Sequence, residues 1–219
     1  MMIYSSTSQL PDLPKVVTGY QIRATHIDTT KIDVALQQAD DANATLALDW
    51  EADDAFARLD PTDPTFDPKA IKEAHAILDY CEQKNAGVKV GFYGVLPPLH
   101  GEYNSIRIDW PNYRKQAGTL SHGPRSLVDR VDRLYPSLYL PRTWREDWPK
   151  FKGNAELVAN RVAETSRDWQ KICQPFVRPD GFTDPAHWAE WVNIVVDMFG
   201  GCVVWENIKQ DPAYWEAIL

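Results

Sequence analysis

Short runs of apolar, β-branched and aromatic residues alternate along this chain with stretches whose apolar positions recur every three or four residues. The runs cover residues 16–23, 46–51, 88–94, 134–140, 174–179 and 202–206, with a seventh at Met2–Ser5. Their length and composition predict buried strands. Between them lie helical periods: Ile71, Ala74, Leu78 and Cys81; Val158, Val162, Thr165, Trp169 and Ile172; Trp188, Trp191, Val195 and Met198. Asp67-Pro68 and Asp184-Pro185 mark two helix starts, because an Asp carboxylate accepts an exposed N–H while proline suits the first helical position. Asp211-Pro212 opens a short last helix in the same way, and Gly87 and Gly200 stand where a helix ends on a left-handed residue. Trp188 and Trp191, at helical spacing, are expected to pack inward.

Strand followed by helix, repeated, predicts parallel strands joined by helical crossovers, hence an α/β fold. At 219 residues the chain is expected to form a single domain, 1–219. No Gly-x-Gly-x-x-Gly and no P-loop follows a strand, which disfavours an open nucleotide-binding sheet. Polar and aromatic residues follow the strands instead: Asp49 and Glu51, Tyr93, Tyr139, Arg178 and Asp180, Trp205 and Glu206. Such groups at several strand ends are the pattern of a barrel active site. The expected architecture is therefore a distorted (β/α) barrel with about seven parallel strands. Residues 53–67 and 96–111, rich in proline, read as long loops on the same rim.

Composition narrows the function. A net charge of −8 with no basic stripe excludes nucleic acid and anionic lipid as main partners. No apolar stretch is long enough to span a membrane. Cys81, Cys173 and Cys202 are an odd, well-separated set, which predicts buried free thiols in a reducing compartment. The five histidines lack ligand spacing, so neither a metal nor another cofactor is expected. The start, Met1-Met2-Ile3-Tyr4, lacks the basic and apolar blocks of a signal peptide, giving a cytoplasmic expectation, or release by lysis or a non-classical route. Nine Trp and nine Tyr supply flat faces suited to sugar rings, and suited equally to a core.

The chemistry concentrates in Leu46-Ala47-Leu48-Asp49-Trp50-Glu51. On a strand Asp49 and Glu51 share one face, and two close carboxylates beside apolar core raise the pKa of at least one. A carboxyl that keeps its proton near neutrality serves as a general acid. Arg178 is a candidate either for substrate or for pairing with Asp49 or Glu51. Tyr93, Tyr139 and Trp205 are candidates either for the pocket wall or for core packing.

Asp49-Trp50-Glu51 resembles the acid motif of the hyaluronidases, a family of glycoside hydrolases. Gly91-Phe92-Tyr93, Leu134-Tyr135-Pro136-Ser137-Leu138-Tyr139-Leu140 and Gly201-Cys202-Val203-Val204-Trp205 are similar to further segments of that family, in the same order. The resemblance implies a distorted seven-stranded barrel that hydrolyses N-acetylhexosamine linkages with retention, the substrate's acetamido oxygen acting as nucleophile. It implies Glu51 as general acid and base, Asp49 as the group orienting the acetamido, and Tyr93, Tyr139 and Trp205 around the sugar. A polyanionic uronan would need basic residues, for which Arg142, Arg145, Arg178 and Lys209 are the candidates. A muramidase-type barrel acting on peptidoglycan and a non-catalytic barrel that binds glycan or serves as a structural, assembly component are the alternative readings. The expected partner is a polysaccharide substrate.

Overall fold

The computed structural model describes residues 2–5, 16–19, 29–49, 67–94, 121–122, 125–205 and 212–218. Ten short strands fall within these residues: β1 Met2–Ser5, β2 Val16–Gly19, β3 Thr45–Leu48, β4 Val90–Phe92, β5 Ser121–His122, β6 Arg125–Ser126, β7 Arg133–Leu134, β8 Ile172–Cys173, β9 Phe176–Val177 and β10 Gly201–Val204. The helices are α1 Thr29–Asp41, α2 Pro68–Lys84, α3 Leu127–Arg130, α4 Arg142–Glu146, α5 Trp148–Asp168, α6 Pro185–Phe199 and α7 Pro212–Glu216. Strand and helix alternate, and the strand pairs are parallel apart from the β5–β6 hairpin.

Two three-stranded parallel sheets carry most of the pairing, in the orders β1-β10-β9 and β2-β3-β4. Their registers run Ser5 opposite Val204, Val204 opposite Val177, Gly19 opposite Leu48, and Leu48 opposite Phe92. The pair β7-β8 lies between them in sequence. Single bridges link Tyr93 to Tyr135 and Ser137 to Phe176.

This arrangement corrects the closed (β/α) barrel of about seven strands that the sequence pattern suggested. The molecule is a mixture of helices and short strands in small parallel sheets, and among the described residues no pairing joins β1 to β2 to close a ring. Proline supplies part of the physical reason. Pro136 and Pro175 have no N–H to give, and the ladders of β7 and β8 end at Leu134 and Cys173, each two residues before its proline. The expected strand 134–140 is thereby reduced to Leu134, at the end of β7, plus isolated bridges at Tyr135 and Ser137.

The helices follow local chemistry. Asp67 and Asp184 cap α2 and α6, each accepting from the backbone N–H two residues on, at 2.9 and 2.8 Å. Gly200 ends α6 at φ +77°, in the left-handed region. Gly87 does not end α2. Asn85 does so in an extended conformation, and its Oδ1 accepts from the Gly87 N–H at 3.0 Å. The α5 period stops at Asp168, so Ile172 lies in β8 and is 59 % exposed. α7 opens at Pro212, while Asp211 and the segments 53–66 and 96–111, which the sequence suggested as loops, lie outside the described residues.

Much of the aromatic content is core. Trp148 meets Trp191 and Phe182 at centroid distances of 5.9 and 5.7 Å, and Phe182 meets Trp188 at 5.6 Å. Trp188 and Trp191 are fully buried, as their helical spacing predicts. Burying each such ring contributes roughly 1.5–3 kcal/mol. This cluster fixes α5 against α6, and α6 leads directly into β10.

Candidate functional site

Parallel strands whose side chains alternate leave the first residue past each strand at a common rim. Asp49 follows β3, Tyr93 follows β4, Arg178 follows β9 and Trp205 follows β10, each by one position. The register makes them neighbours in pairs. The Tyr93 N–H donates to the Leu48 carbonyl at 2.9 Å, which sets Tyr93 beside Asp49. The Trp205 N–H donates to the Val177 carbonyl at 2.8 Å, which sets Trp205 beside Arg178. Gly94 donates to the Tyr135 carbonyl at 2.8 Å, and this bond brings the 135–139 segment alongside the end of β4.

Tyr93 is the hub. Its hydroxyl donates to Ser137 Oγ at 3.2 Å. Its ring lies 6.1 Å from that of Tyr139 and 4.9 Å, edge-on, from Phe176. Tyr135, on the same face, meets Phe176 at 6.0 Å and sends its hydroxyl to Thr45 Oγ1 at 2.7 Å. Beneath the rim the aromatic rings are thus packed and hydrogen-bonded, and Tyr139, Arg178 and Trp205 remain only partly buried.

Both rim tyrosines hold their protons. Burial pushes the Tyr93 hydroxyl up to about 12, with the neighbouring Ser137 and Tyr139 hydroxyls and Arg178 opposing and the Asp49 charge adding. Burial also raises Tyr139 well above the usual phenol value, with further upward pressure from Tyr93 and Asp49. Arg178 pulls both down, so Asp49 and Arg178 act on the same two rings with opposite sign. The Arg178 guanidinium lies 4.7 Å over the Tyr139 ring, a cation–π contact. Its Nε is 3.1 Å from Asp180 Oδ1, so the described ion pair of Arg178 is with Asp180.

Of the residues singled out in the sequence, Asp49, Tyr93, Tyr139, Arg178 and Trp205 come together at this rim, whereas Glu51 lies outside the described residues. The basic supply expected for a polyanionic substrate is thin. Arg142 pairs with Glu146 at 2.7 Å, Arg145 is buried against Asp180, and Lys209 lies outside the described residues. Ser137 and Asp180 join the site without having been assigned a role. Ser137 was legible from its alternation with Tyr135 and Tyr139. The partnership of Asp180 with two arginines has no local signature.

A cavity of about 200 Å³ lies far from this rim chemistry, at the amino end of β4 around Val88, Lys89, Arg130 and Asp132. Among its charges Lys89 lies 3.5 Å from Asp132 and Arg130 lies 3.5 Å from Glu82. The three cysteines are buried free thiols. Among the described residues no group of three His, Cys, Asp or Glu side chains is arranged to hold a metal ion, and no helix is long and apolar enough to cross a membrane. No protein-family model matches the chain, and no curated protein matches it.

Proposed function

We propose that this protein is a glycoside hydrolase acting on an N-acetylhexosamine-containing glycan with retention of configuration. The observation that carries the reading is the convergence of Asp49, Tyr93, Tyr139 and Arg178 at the carboxyl ends of adjacent parallel strands. A carboxylate, two protonated phenols, a fixed guanidinium and the nearby Trp205 indole give a sugar both hydrogen-bonding groups and apolar faces.

Glu51, two residues beyond Asp49, is the general acid in this proposal. It protonates the glycosidic oxygen as the substrate's acetamido oxygen attacks the anomeric carbon and the glycosidic bond breaks. Asp49 accepts from the acetamido N–H and so orients that nucleophile. Glu51, now a carboxylate, takes a proton from the water that opens the cyclic intermediate, which restores the acid and the acetamido group. Loss of a general acid lowers turnover by about 10²–10⁴-fold.

The net charge of −8 and the committed arginines favour a neutral N-acetylated polymer over a polyuronan. Release of reducing ends from a panel of N-acetylated, de-acetylated, uronic-acid and peptidoglycan polymers tests the reading. It expects cleavage that requires the acetamido group. Equal cleavage of the de-acetylated polymer would point to a carboxylate nucleophile instead, and binding without any cleavage would make the rim a lectin-like site.

A further inference from the structure

The cavity at the amino end of β4 joins two kinds of surface. Leu78, Cys81 and Val88, all buried, line it with apolar atoms, while Arg130, Glu82 and Asp132 bring charge to the same space. At about 200 Å³ it is sized for a small organic molecule, since a single enclosed water needs only about 10–15 Å³.

The charged groups are held in place without being used up. The Arg130 side chain is only 11 % exposed, yet one nitrogen, Nη2, makes both of its ion pairs. It lies 2.7 Å from Asp79 and 3.5 Å from Glu82, one turn apart on α2. Among the described residues its Nε and Nη1 have no acceptor. A guanidinium so far withdrawn from water calls for acceptors on its remaining N–H groups. Asp132 is fixed by backbone: its N–H donates to the Val90 carbonyl at 2.8 Å, and its Oδ2 accepts from the Val90 N–H at 3.0 Å. Among the described residues its Oδ1 meets only the exposed Lys89, at 3.5 Å.

The cavity thus offers donors for one carboxylate, acceptors for one ammonium and an apolar wall for a hydrocarbon chain. Three carboxylates, Glu82, Asp129 and Asp132, line it against two cations, a balance that disfavours phosphate or any multiply charged anion. We infer that it is a binding site for a free α-amino acid with an apolar side chain. The carboxylate meets Arg130, the ammonium lies between Asp132 and Glu82, and the side chain rests on Leu78, Cys81 and Val88. The site shares no residue with the rim and is independent of the chemistry proposed there.

NMR titration of the native protein with L-leucine, following the Val88 and Val90 amides and the Arg130 Nε–H, tests this without any variant. Saturable shifts of all three signals with one stoichiometry are expected. Leucinamide lacks the carboxylate and N-acetylleucine lacks the ammonium, so each should bind about tenfold or more weakly than leucine. Glu82→Gln, at an exposed side chain whose loss the fold tolerates, should weaken leucine but leave N-acetylleucine unchanged. No shift at millimolar leucine would overturn the inference. Acetate or phosphate moving the same signals as strongly as leucine would make this a simple anion site and overturn it too. Equal binding of leucine, leucinamide and N-acetylleucine would do the same, leaving only apolar contact.

Discussion

Replacing Gly91 by alanine tests whether the close approach of β4 to the 133–135 segment is what sets the rim. Gly91 sits opposite Ala47 in the β3–β4 ladder, and on its other side the Asp132 N–H donates to the Val90 carbonyl at 2.8 Å. A Cβ on Gly91 would collide with the Arg133 carbonyl oxygen and lie 2.9 Å from Tyr135 Cδ2. Neither neighbour gives way easily. The first is backbone, and the Tyr135 hydroxyl is tied to Thr45 at 2.7 Å. Overpacking of this kind costs about 1–3 kcal/mol. Pushing the strands apart also weakens the bonds that Val90 and Gly94 make across the gap, each worth about 0.5–1.5 kcal/mol. A total near 3 kcal/mol, divided by a urea dependence of about 2–3 kcal/mol per molar, lowers the unfolding midpoint by roughly 1 M. Gly153 provides the internal control. It is exposed within α5, nothing lies within 4 Å of its would-be Cβ, and Gly153→Ala should raise stability by about 0.5–1 kcal/mol. An unchanged midpoint for Gly91→Ala, or an equal fall for both variants, would refute the reasoning.

Tyr93→Phe removes the hydroxyl that donates to Ser137 and should cost about 0.5–1.5 kcal/mol in urea unfolding. Tyr139→Phe, at a partly open ring, should lower the rate more than the stability; kinetics and thermal unfolding on the same variant decide it. Cys81 and Cys202 are pushed by burial from 9.0 to about 12, so the folded state keeps protons that the unfolded chain loses above pH 9. Their contribution is complete below pH 9 and is lost as pH rises towards 12, at up to about 2.7 kcal/mol per pH unit for two thiols. Urea midpoints flat from pH 8 to pH 11 would contradict it.

The legible parts of the fold are those written in adjacent residues. Asp67 and Asp184 announce their helices because a cap acts within three positions, and Gly200 announces an end because only its own φ is at stake. α1 carries a similar signal, with Ile32, Ala35, Leu36 and Ala39 on one face, diluted by the polar residues between them. Ile172 continued a helical period by coincidence of spacing, whereas the chain had already turned at Gln170, φ +53°. Strand candidates were visible, but the expected closure into a barrel was wrong, because pairing depends on partners distant in sequence and on prolines whose missing N–H interrupts the ladder. The rim residues Asp49, Tyr93, Arg178 and Trp205 could be read because each follows an apolar run by one position. Asp180 was visible as a strand-end group and Arg145 as a basic residue, but their contact was not, since they meet across 35 residues.

The central claim is tested most directly by reducing-end release from an N-acetylated polymer, measured for the native protein and Glu51→Gln side by side with thermal unfolding of both. The account predicts release by the native protein, a fall of about 10²–10⁴-fold in the variant, and matching unfolding temperatures. Equal release by the two proteins, or none by a folded native protein from any polymer in the panel, would contradict it.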